Sequence, residues 1–157
     1  MHVGSALPVV DLNNDGLKDI IFCGSQVRSR LYINKGGFKF EDVTQSAGVQ
    51  TTAWCTGVSV VDINNDGLPD IYVCVSGSRQ PEKRKNLLFI NQGNLHFTEE
   101  AAAYGLDDTG YSTQAVFFDY DKDGRLDMYL LNHRLYNDYP NAVVPKDTSA
   151  NSPASDK

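Results

Sequence analysis

A nine-residue acidic loop that occurs three times is the feature that most constrains how this chain can fold. The copies are DLNNDGLKD from Asp11, DINNDGLPD from Asp62 and DYDKDGRLD from Asp119, with first residues 51 and then 57 positions apart. A period of about 20 to 50 residues, or slightly more, indicates a solenoid, a propeller or an array, because each unit buries its apolar face against its neighbours. The 157-residue chain is therefore predicted to consist of three similar units.

A second repeated segment divides the chain into units. LYINKG from Leu31 recurs as LFINQG from Leu88, at an offset of 57 residues. The difference between the two offsets places a six-residue insertion in the second repeat, within 76–86. The predicted units are residues 1–50, 51–107 and 108–157.

The third unit is expected to be incomplete. No segment like LYINKG follows the third acidic loop, and residues 141–157 are rich in Pro, Ser, Asp and Asn, a composition typical of loops. A propeller needs 4 to 8 blades to close, so the sequence is interpreted as part of a longer protein.

Each complete repeat is predicted to contain four short antiparallel strands. Runs of β-branched and aromatic residues flank every acidic loop, and Gly-containing turns separate two further strands. The predicted strands are 7–10, 20–23, one ending at Asn34 and 38–41; 58–61, 71–74 and one ending at Asn91; and 115–118 and 128–131. Segments 44–48 and 99–105 are predicted as single helical turns ended by a left-handed glycine. The predicted fold is all-β, a partial β-propeller of about two and a half four-stranded blades with a metal loop between first and second strands.

The acidic loops have the chemistry of calcium sites. Side chains at positions 1, 3, 5 and 9 can converge with the carbonyl of position 7, and calcium takes six to eight such oxygens. Glycine at position 6 allows the positive φ that folds the loop around the ion. The predicted ligands of three Ca²⁺ ions are Asp11, Asn13, Asp15, Leu17 and Asp19; Asp62, Asn64, Asp66, Leu68 and Asp70; and Asp119, Asp121, Asp123, Arg125 and Asp127.

The charge of the chain agrees with this assignment. Ten of the 20 acidic residues lie in the loops, and three divalent cations would neutralise the formal net charge of -6. Three or four clustered carboxylates repel by roughly 3 to 4 kcal/mol per pair at an effective dielectric near 20. A metal-free alternative, Asp- and Asn-rich turns that merely cap hairpins, explains one loop but not three in one register. Magnesium is less favoured than calcium because it keeps its waters. The acidity is thus assigned to the metal loops and not to a general acidic surface, and no nucleic-acid ligand is predicted.

An EF-hand is the nearest alternative and it fails on two counts. Its 12-residue loop ends in a bidentate Glu, where these loops have Phe22, Val73 and Leu130, and it requires flanking helices.

The remaining candidates have simpler interpretations. Cys23, Cys55 and Cys74 are predicted to be small buried hydrophobes without a disulfide framework or zinc site. The histidines are scattered outside any catalytic signature, so no enzymatic site is predicted; they are His2, His96 and His133. Trp54 and Tyr111 are predicted to pack between blades, with ligand stacking as the alternative.

The loops after each second strand are the candidate partner surface. They grow from repeat to repeat on the face opposite the acidic loops, and such one-sided insertions often mark where a repeat protein binds. The alternative is that they merely cover the propeller mouth or pack on a neighbouring domain. The residues concerned are Arg79, Lys83, Arg84 and Lys85 in the second repeat and His133, Arg134, Tyr136 and Tyr139 in the third.

The acidic loops, together with the segment LYINKGGFKFEDVT that ends in AGV and its second copy, resemble the VCBS/FG-GAP repeat family. Within that family the chain is most similar to bacterial secreted proteins that are themselves similar to cartilage acidic protein. The resemblance implies an integrin-α-like propeller with calcium between first and second strands, on exported or surface proteins used for adhesion or binding.

The functional expectation follows from these observations. The chain is interpreted as a non-enzymatic, calcium-binding module for protein or glycan ligands, located outside the cell, in the periplasm or at the cell surface. The alternative is an accessory domain of an exported enzyme that acts on polysaccharide. No run approaches the roughly 18 apolar residues of a membrane span, and no export signal is evident at the N-terminus.

Overall fold

The structure, a computed structural model, describes residues 7–25, 27–133 and the backbone of 145–146. Within this part of the chain no helix is long and apolar enough to cross a bilayer. The strands are β1 (Val9–Val10), β2 (Asp19–Phe22), β3 (Arg30–Asn34), β4 (Phe40–Asp42), β5 (Cys55–Val61), β6 (Asp70–Val75), β7 (Leu87–Asn91), β8 (Phe97–Glu99), β9 (Ser112–Phe118), β10 (Asp127–Asn132) and β11 (Pro145–Lys146).

The strands form three antiparallel sheets. Their orders are β1-β2-β3-β4, β5-β6-β7-β8 and β9-β10-β11, so strands that follow one another in sequence are neighbours in space. Each acidic loop joins the first two strands of its sheet, as the sequence predicts. The fold is therefore all-β and consistent with part of a β-propeller.

The third sheet differs from its prediction. The sequence predicts a loop from residue 141 onward, whereas β11 pairs with β10 through Met128 with Lys146 and Tyr129 with Pro145. The equivalent pairs of the second sheet, Ile71 with Phe89 and Tyr72 with Leu88, lie 57 residues earlier. A strand edge offers backbone N–H and C=O groups to any extended segment, so this pairing does not require the LYINKG motif. The rest of the predicted tail lies outside the described residues.

The fourth strand of the first sheet begins later than predicted. Phe38 has a φ of 60° and is 96% exposed, because it belongs to the turn in which the Lys35 N–H donates to the Lys39 carbonyl at 2.8 Å. Pairing resumes only at Phe40. The alternation of apolar and polar residues from 38 to 41 is thus a turn followed by a strand. The predicted turns are present at 44–48 and 101–105, and each ends at a positive-φ glycine, Gly48 or Gly105. The second turn starts later than predicted because Glu99 belongs to β8.

Burial along the second strands shows how the sheets stack. All six residues of β6 are buried, whereas buried and exposed residues alternate in the core of β10. The reason is that the second sheet lies between the other two, so both of its faces are covered. One face packs in a core with Ile21 and Leu31, and the other packs in a core with Met128 and Leu130.

A glycine permits the close contact between the second and third sheets. A Cβ at Gly57 would lie 2.2 Å from the carbonyl oxygen of Thr113. The neighbouring Thr56 hydroxyl donates to the Ser112 carbonyl at 2.6 Å and so ties β5 to β9. A side chain larger than glycine would separate these two strands.

Candidate metal centre

The three acidic loops share one backbone conformation. Residues at position 4 have left-handed φ values of 58°, 58° and 64°, and the glycines at position 6 have 85°, 84° and 84°. The first set is Asn14, Asn65 and Lys122, and the second is Gly16, Gly67 and Gly124. Glycine adopts this conformation without steric cost. The two left-handed residues, at positions 4 and 6, reverse the chain direction and fold the first half of each loop toward its centre.

The aspartate at position 1 holds the turn together through both carboxylate oxygens. In the first loop, Asp11 Oδ1 accepts from the Asp15 N–H at 3.1 Å and its Oδ2 accepts from the Gly16 N–H at 2.8 Å. In the second loop, Asp62 makes the same two hydrogen bonds at the same distances, and in the third loop the two bonds of Asp119 measure 3.1 and 3.0 Å. Each oxygen retains a lone pair for a second partner.

The aspartate at position 9 connects the loop to the sheet. Asp70 Oδ2 accepts from the Ile63 N–H at 2.9 Å, and its Oδ1 accepts from the Asn91 N–H at 2.8 Å. Asp19 makes the same pair of bonds, with the Leu12 and Asn34 N–H groups. Both aspartates are fully buried. These two carboxylates therefore join the loop, the second strand and the end of the third strand.

Charge accumulates at the second loop. Burial raises the pKa of Asp70 above its usual value. The N–H groups of Asn91 and Ile63 partly offset this rise, while the carboxylates of Asp66 and Asp62 add to it. Burial and the neighbouring carboxylates both disfavour the ionised form of Asp70, and a bound cation would favour it.

The third loop brings three carboxylates to one point. Asp119, Asp121 and Asp127 each place an oxygen within 4.8 Å of the other two. Oxygen ligands lie about 2.3 to 2.6 Å from calcium, so ligands on opposite sides of the ion are about 5 Å apart. The donor set therefore fits a calcium ion in both spacing and chemistry.

The position-5 aspartates face a neighbouring N–H donor. In the third loop, the Asp123 carboxylate forms an ion pair with the Arg125 guanidinium, and the Arg125 Nε donates to the Asp123 Oδ2 at 3.0 Å. In the first two loops the donor is the position-3 amide, at 3.0 Å for Asn13 and 2.9 Å for Asn64. A calcium ion that uses this oxygen would replace these donors. Only in the third loop is the donor a full positive charge.

Two asparagines outside the loops support the sites, and the sequence analysis assigned them no role. The Asn91 side chain donates to the Leu12 carbonyl at 3.0 Å and to the Pro69 carbonyl at 3.2 Å, so it contacts two acidic loops. Asn34 donates to the Lys18 carbonyl at 3.1 Å in the first repeat. The signal was present in the sequence, since both residues end the repeated LYIN and LFIN segments.

The first two loops also contact each other directly. The Asn14 amide donates to the Gly67 carbonyl at 3.1 Å, a contact between residues 53 positions apart. Together with Asn91, this bond links the rims of neighbouring loops. The first and second loops therefore form one connected edge of their two sheets.

The predicted partner surface is corrected at its centre. Arg84 is buried and not solvated: its Nε donates to the Thr109 carbonyl at 2.9 Å, and its guanidinium lies 4.0 Å over the Tyr111 ring. Lys85 forms an ion pair of 2.7 Å with Asp107. The insertion of the second repeat contacts the segment that precedes β9, and this contact buries Arg84. Arg79 and Lys83 are exposed, and 134–139 lie outside the described residues.

The remaining predicted residues are placed as follows. All three cysteines are buried, as predicted. Trp54 is 37% exposed and packs against Gly77 of its own repeat, where a Cβ would lie 2.6 Å from the indole. His96 and His133 are exposed, and His2 lies outside the described residues. Tyr111 contacts Arg84 between the second and third repeats, which agrees with packing between blades.

Repeated antiparallel sheets, each with an acidic loop between its first two strands, define a repeat module of the propeller class. The FG-GAP-like repeat model matches residues 11–73 and 74–130, so the chain belongs to the FG-GAP-like repeat family. Cartilage acidic protein 1 of Mus musculus is 34% identical over 109 residues, and its Homo sapiens counterpart is 32% identical over 109 residues. Each alignment covers 66% of this chain and 16% of the relative. The family resemblance found in the sequence is confirmed.

Proposed function

We propose that this chain is a calcium-stabilised, non-enzymatic binding or adhesion module of a larger exported or cell-surface protein. The observation that carries the proposal is the approach of Asp119, Asp121 and Asp127 to within 4.8 Å of one another in a loop conformation that recurs three times. Hairpins alone do not require carboxylates to cluster in this way.

The ligand sets of the proposed sites are those at positions 1, 3, 5 and 9, with the carbonyl of position 7. Bound calcium supplies positive charge and cross-links the two halves of the loop. The chain's own residues hold the oxygens in place, because Asp19 and Asp70 are tied to the third strand and the position-1 aspartates are tied to the glycine turn. The role of the sites is structural rather than catalytic.

The location of the protein outside the cytosol is proposed from the calcium affinity expected of such loops. Calcium loops in extracellular modules bind at about 10⁻⁴ to 10⁻³ M, a concentration range found outside cells. Part of each ligand set is exposed, as at Asp15 and Asp66, and these carboxylates lose part of their attraction for the ion to solvent screening. We therefore place the whole protein in an exported or surface-bound location.

The outer faces of the first and third sheets support a larger assembly. Val9 and Phe22 on the first sheet, and Val116, Phe118 and Leu131 on the third, are between 42% and 57% exposed. Apolar sheet faces of this kind are normally covered. Further repeats of the same type are the covering that this proposal assigns to them. A protein or glycan ligand is proposed for the face opposite the acidic loops, where Arg79 and Lys83 are exposed.

Calcium-dependent melting tests the proposal. The full chain should show a rise in Tm as calcium is added, saturating near the millimolar range, and magnesium at the same concentration should have a much smaller effect. The Asp66→Ala variant, whose side chain is exposed, should lower the response without preventing folding. An unchanged Tm over the whole titration would contradict calcium stabilisation.

The third site offers a sharper prediction. Asp121→Asn should weaken ion binding there by about tenfold, because it removes one of the charges on the ion. Arg125→Leu, which introduces the residue of the first two loops, should strengthen binding several-fold, because it removes the positive charge that pairs with the Asp123 carboxylate. Tyr120 is the aromatic residue of the third loop and should sensitise terbium bound there. Tyr104 lies near Asp66 and Asp70 of the second loop, so the part of the luminescence that is lost in Tyr120→Phe reports the third site, and its displacement by calcium measures the affinity.

The controls separate the third site from the others. Tyr120→Phe should dim the terbium signal without changing the calcium dependence of Tm. Asn13→Asp should leave the terbium signal unchanged, since it acts on the first loop. Equal affinities for wild type, Asp121→Asn and Arg125→Leu would show that charge does not control this site.

A further inference from the structure

Two of the three cysteines meet between the first and second sheets. Cys23 directly follows β2, and Cys55 is the first residue of β5. The Cys55 N–H donates to the carbonyl of Gly24 at 3.1 Å, which sets the two backbone segments side by side. Their side chains are 3% and 0% exposed.

The two thiols lie in one buried core and share a neighbour. The hydroxyl of Ser29 lies 3.5 Å from the Cys55 Sγ and also interacts with the Cys23 thiol, and the two thiols influence each other's pKa. A disulfide requires adjacent backbones and Cβ vectors that converge. The Cys55 N–H bond to Gly24 meets the first requirement, and the shared Ser29 hydroxyl shows that the two side chains extend into the same buried space.

Only one member of this cysteine pair recurs in the second repeat. Cys74 occupies in the second repeat the position of Cys23, 51 residues later, but the counterpart of Cys55, 57 residues later, is Ser112. Cys74 faces the other core, with Leu88 and Met128. Within the described residues, two thiols therefore lie at the first interface, and Cys74 has no second thiol beside it at the other.

The chemistry of the pair is asymmetric. The hydrogen bond with Cys23, helped by Ser29, lowers the pKa of Cys55, whereas the same bond and burial raise the pKa of Cys23. Burial raises the pKa of Cys74 to about 12. A thiolate is the nucleophile of disulfide exchange, so Cys55 is the thiol of the three best suited to attack.

We propose that Cys23 and Cys55 form a disulfide that fastens the first sheet to the second, made during folding by a disulfide-bearing oxidant such as oxidised glutathione. The Cys55 thiolate attacks one sulfur of the oxidant, which releases one thiol and leaves a mixed disulfide. The Cys23 thiolate then attacks the Cys55 sulfur and releases the second thiol. Two electrons and two protons pass to the oxidant. The oxidising environment rests on the proposed export, but the geometry does not.

The test is mass spectrometry on the full chain, refolded with calcium in mixed reduced and oxidised glutathione. The oxidised chain should weigh less by two hydrogen atoms, and digestion should yield a linked peptide pair containing Cys23 and Cys55. After denaturation, alkylation should label Cys74 alone. The cross-link should raise Tm by about 5 to 15 °C relative to the reduced chain, because it restricts the unfolded state.

Matched variants make the result decisive. Cys74→Ser should retain both the mass change and the Tm increase, whereas Cys23→Ser and Cys55→Ser should lose both. If a serine variant fails to fold, the wild-type peptide map still decides between linked and alkylated Cys23. Three alkylated thiols, a persistent glutathione adduct or a link through Cys74 would each overturn the proposal. A missing link with an intact calcium response overturns the disulfide alone, and a link without a calcium response overturns the calcium sites alone.

Discussion

Replacing Asp70 with alanine should lower the free energy of unfolding by about 3 to 5 kcal/mol, whether or not calcium is present. The side chain is fully buried, and its two oxygens accept from the N–H groups of Ile63 and Asn91. Its removal leaves both donors buried without an acceptor, at about 1 to 3 kcal/mol each. Urea unfolding in calcium and in chelator measures the loss.

Asp66→Ala is the matched control for Asp70→Ala. Asp66 lies in the same loop but is exposed, and it accepts from the Leu68 N–H and the Asn64 side chain, which can bind water instead. Its loss should matter mainly when calcium is bound. Asp70→Asn should fall between wild type and Asp70→Ala, because the amide oxygen still accepts one N–H. If Asp70→Ala destabilised the chain only in calcium, the aspartate would be a metal ligand without a role in the apo fold.

Replacing Arg84 with alanine should lower the free energy of unfolding by about 2 to 4 kcal/mol. The guanidinium donates to the Thr109 carbonyl at 2.9 Å, the Ser78 carbonyl at 2.8 Å and the Tyr111 hydroxyl at 3.2 Å, and it stacks over the Tyr111 ring. Alanine would leave these carbonyls in a partly buried gap between the second and third repeats. Thermal and urea unfolding both report the change.

Lys83→Ala controls for the charge of this segment. Lys83 is adjacent in sequence and exposed, so its removal should change stability by at most about 0.5 kcal/mol. Arg84→Lys should recover only part of the loss, since an ammonium lacks the planar fork that reaches several acceptors. An Arg84→Ala variant that melts like wild type would restore the sequence-based interpretation of Arg84 as a ligand contact.

These bonds change how the insertion of the second repeat is understood. The loop from 76 to 86 contains a short 3₁₀ helix at Pro81–Lys83, and Arg84 and Lys85 attach it to the segment that precedes β9. Asn86 extends the attachment, donating to both Tyr72 and Ser112 at 2.9 Å. The insertion therefore connects the second repeat to the third. A ligand on this face would contact exposed residues such as Arg79 rather than Arg84.

Much of the fold follows from the local sequence. The three loops, the strands that flank them and the all-β class were predictable because their signals lie within a few adjacent residues: a glycine that permits positive φ, and aspartates spaced to converge on one point. The six-residue insertion was predictable from two unequal offsets. The support given by Asn34 and Asn91 could also have been inferred, since each recurs at a fixed distance from an acidic loop.

The contacts between repeats were decided by the tertiary structure. From the sequence, Arg84 is interpreted as a solvated cation and Cys55 as an isolated apolar residue. The residues around each of them do not show which distant segment packs against it. The partners of these residues, Thr109 and Cys23, are 25 and 32 positions away, and the Asn14 bond to Gly67 spans 53. Local spacing determines which conformations a segment adopts, whereas the distance and rotation between stacked sheets determine which distant side chains meet. Gly57 illustrates the second case, because its missing Cβ brings β5 against β9 and so fixes the interface at which Ser112 and Asn86 are joined.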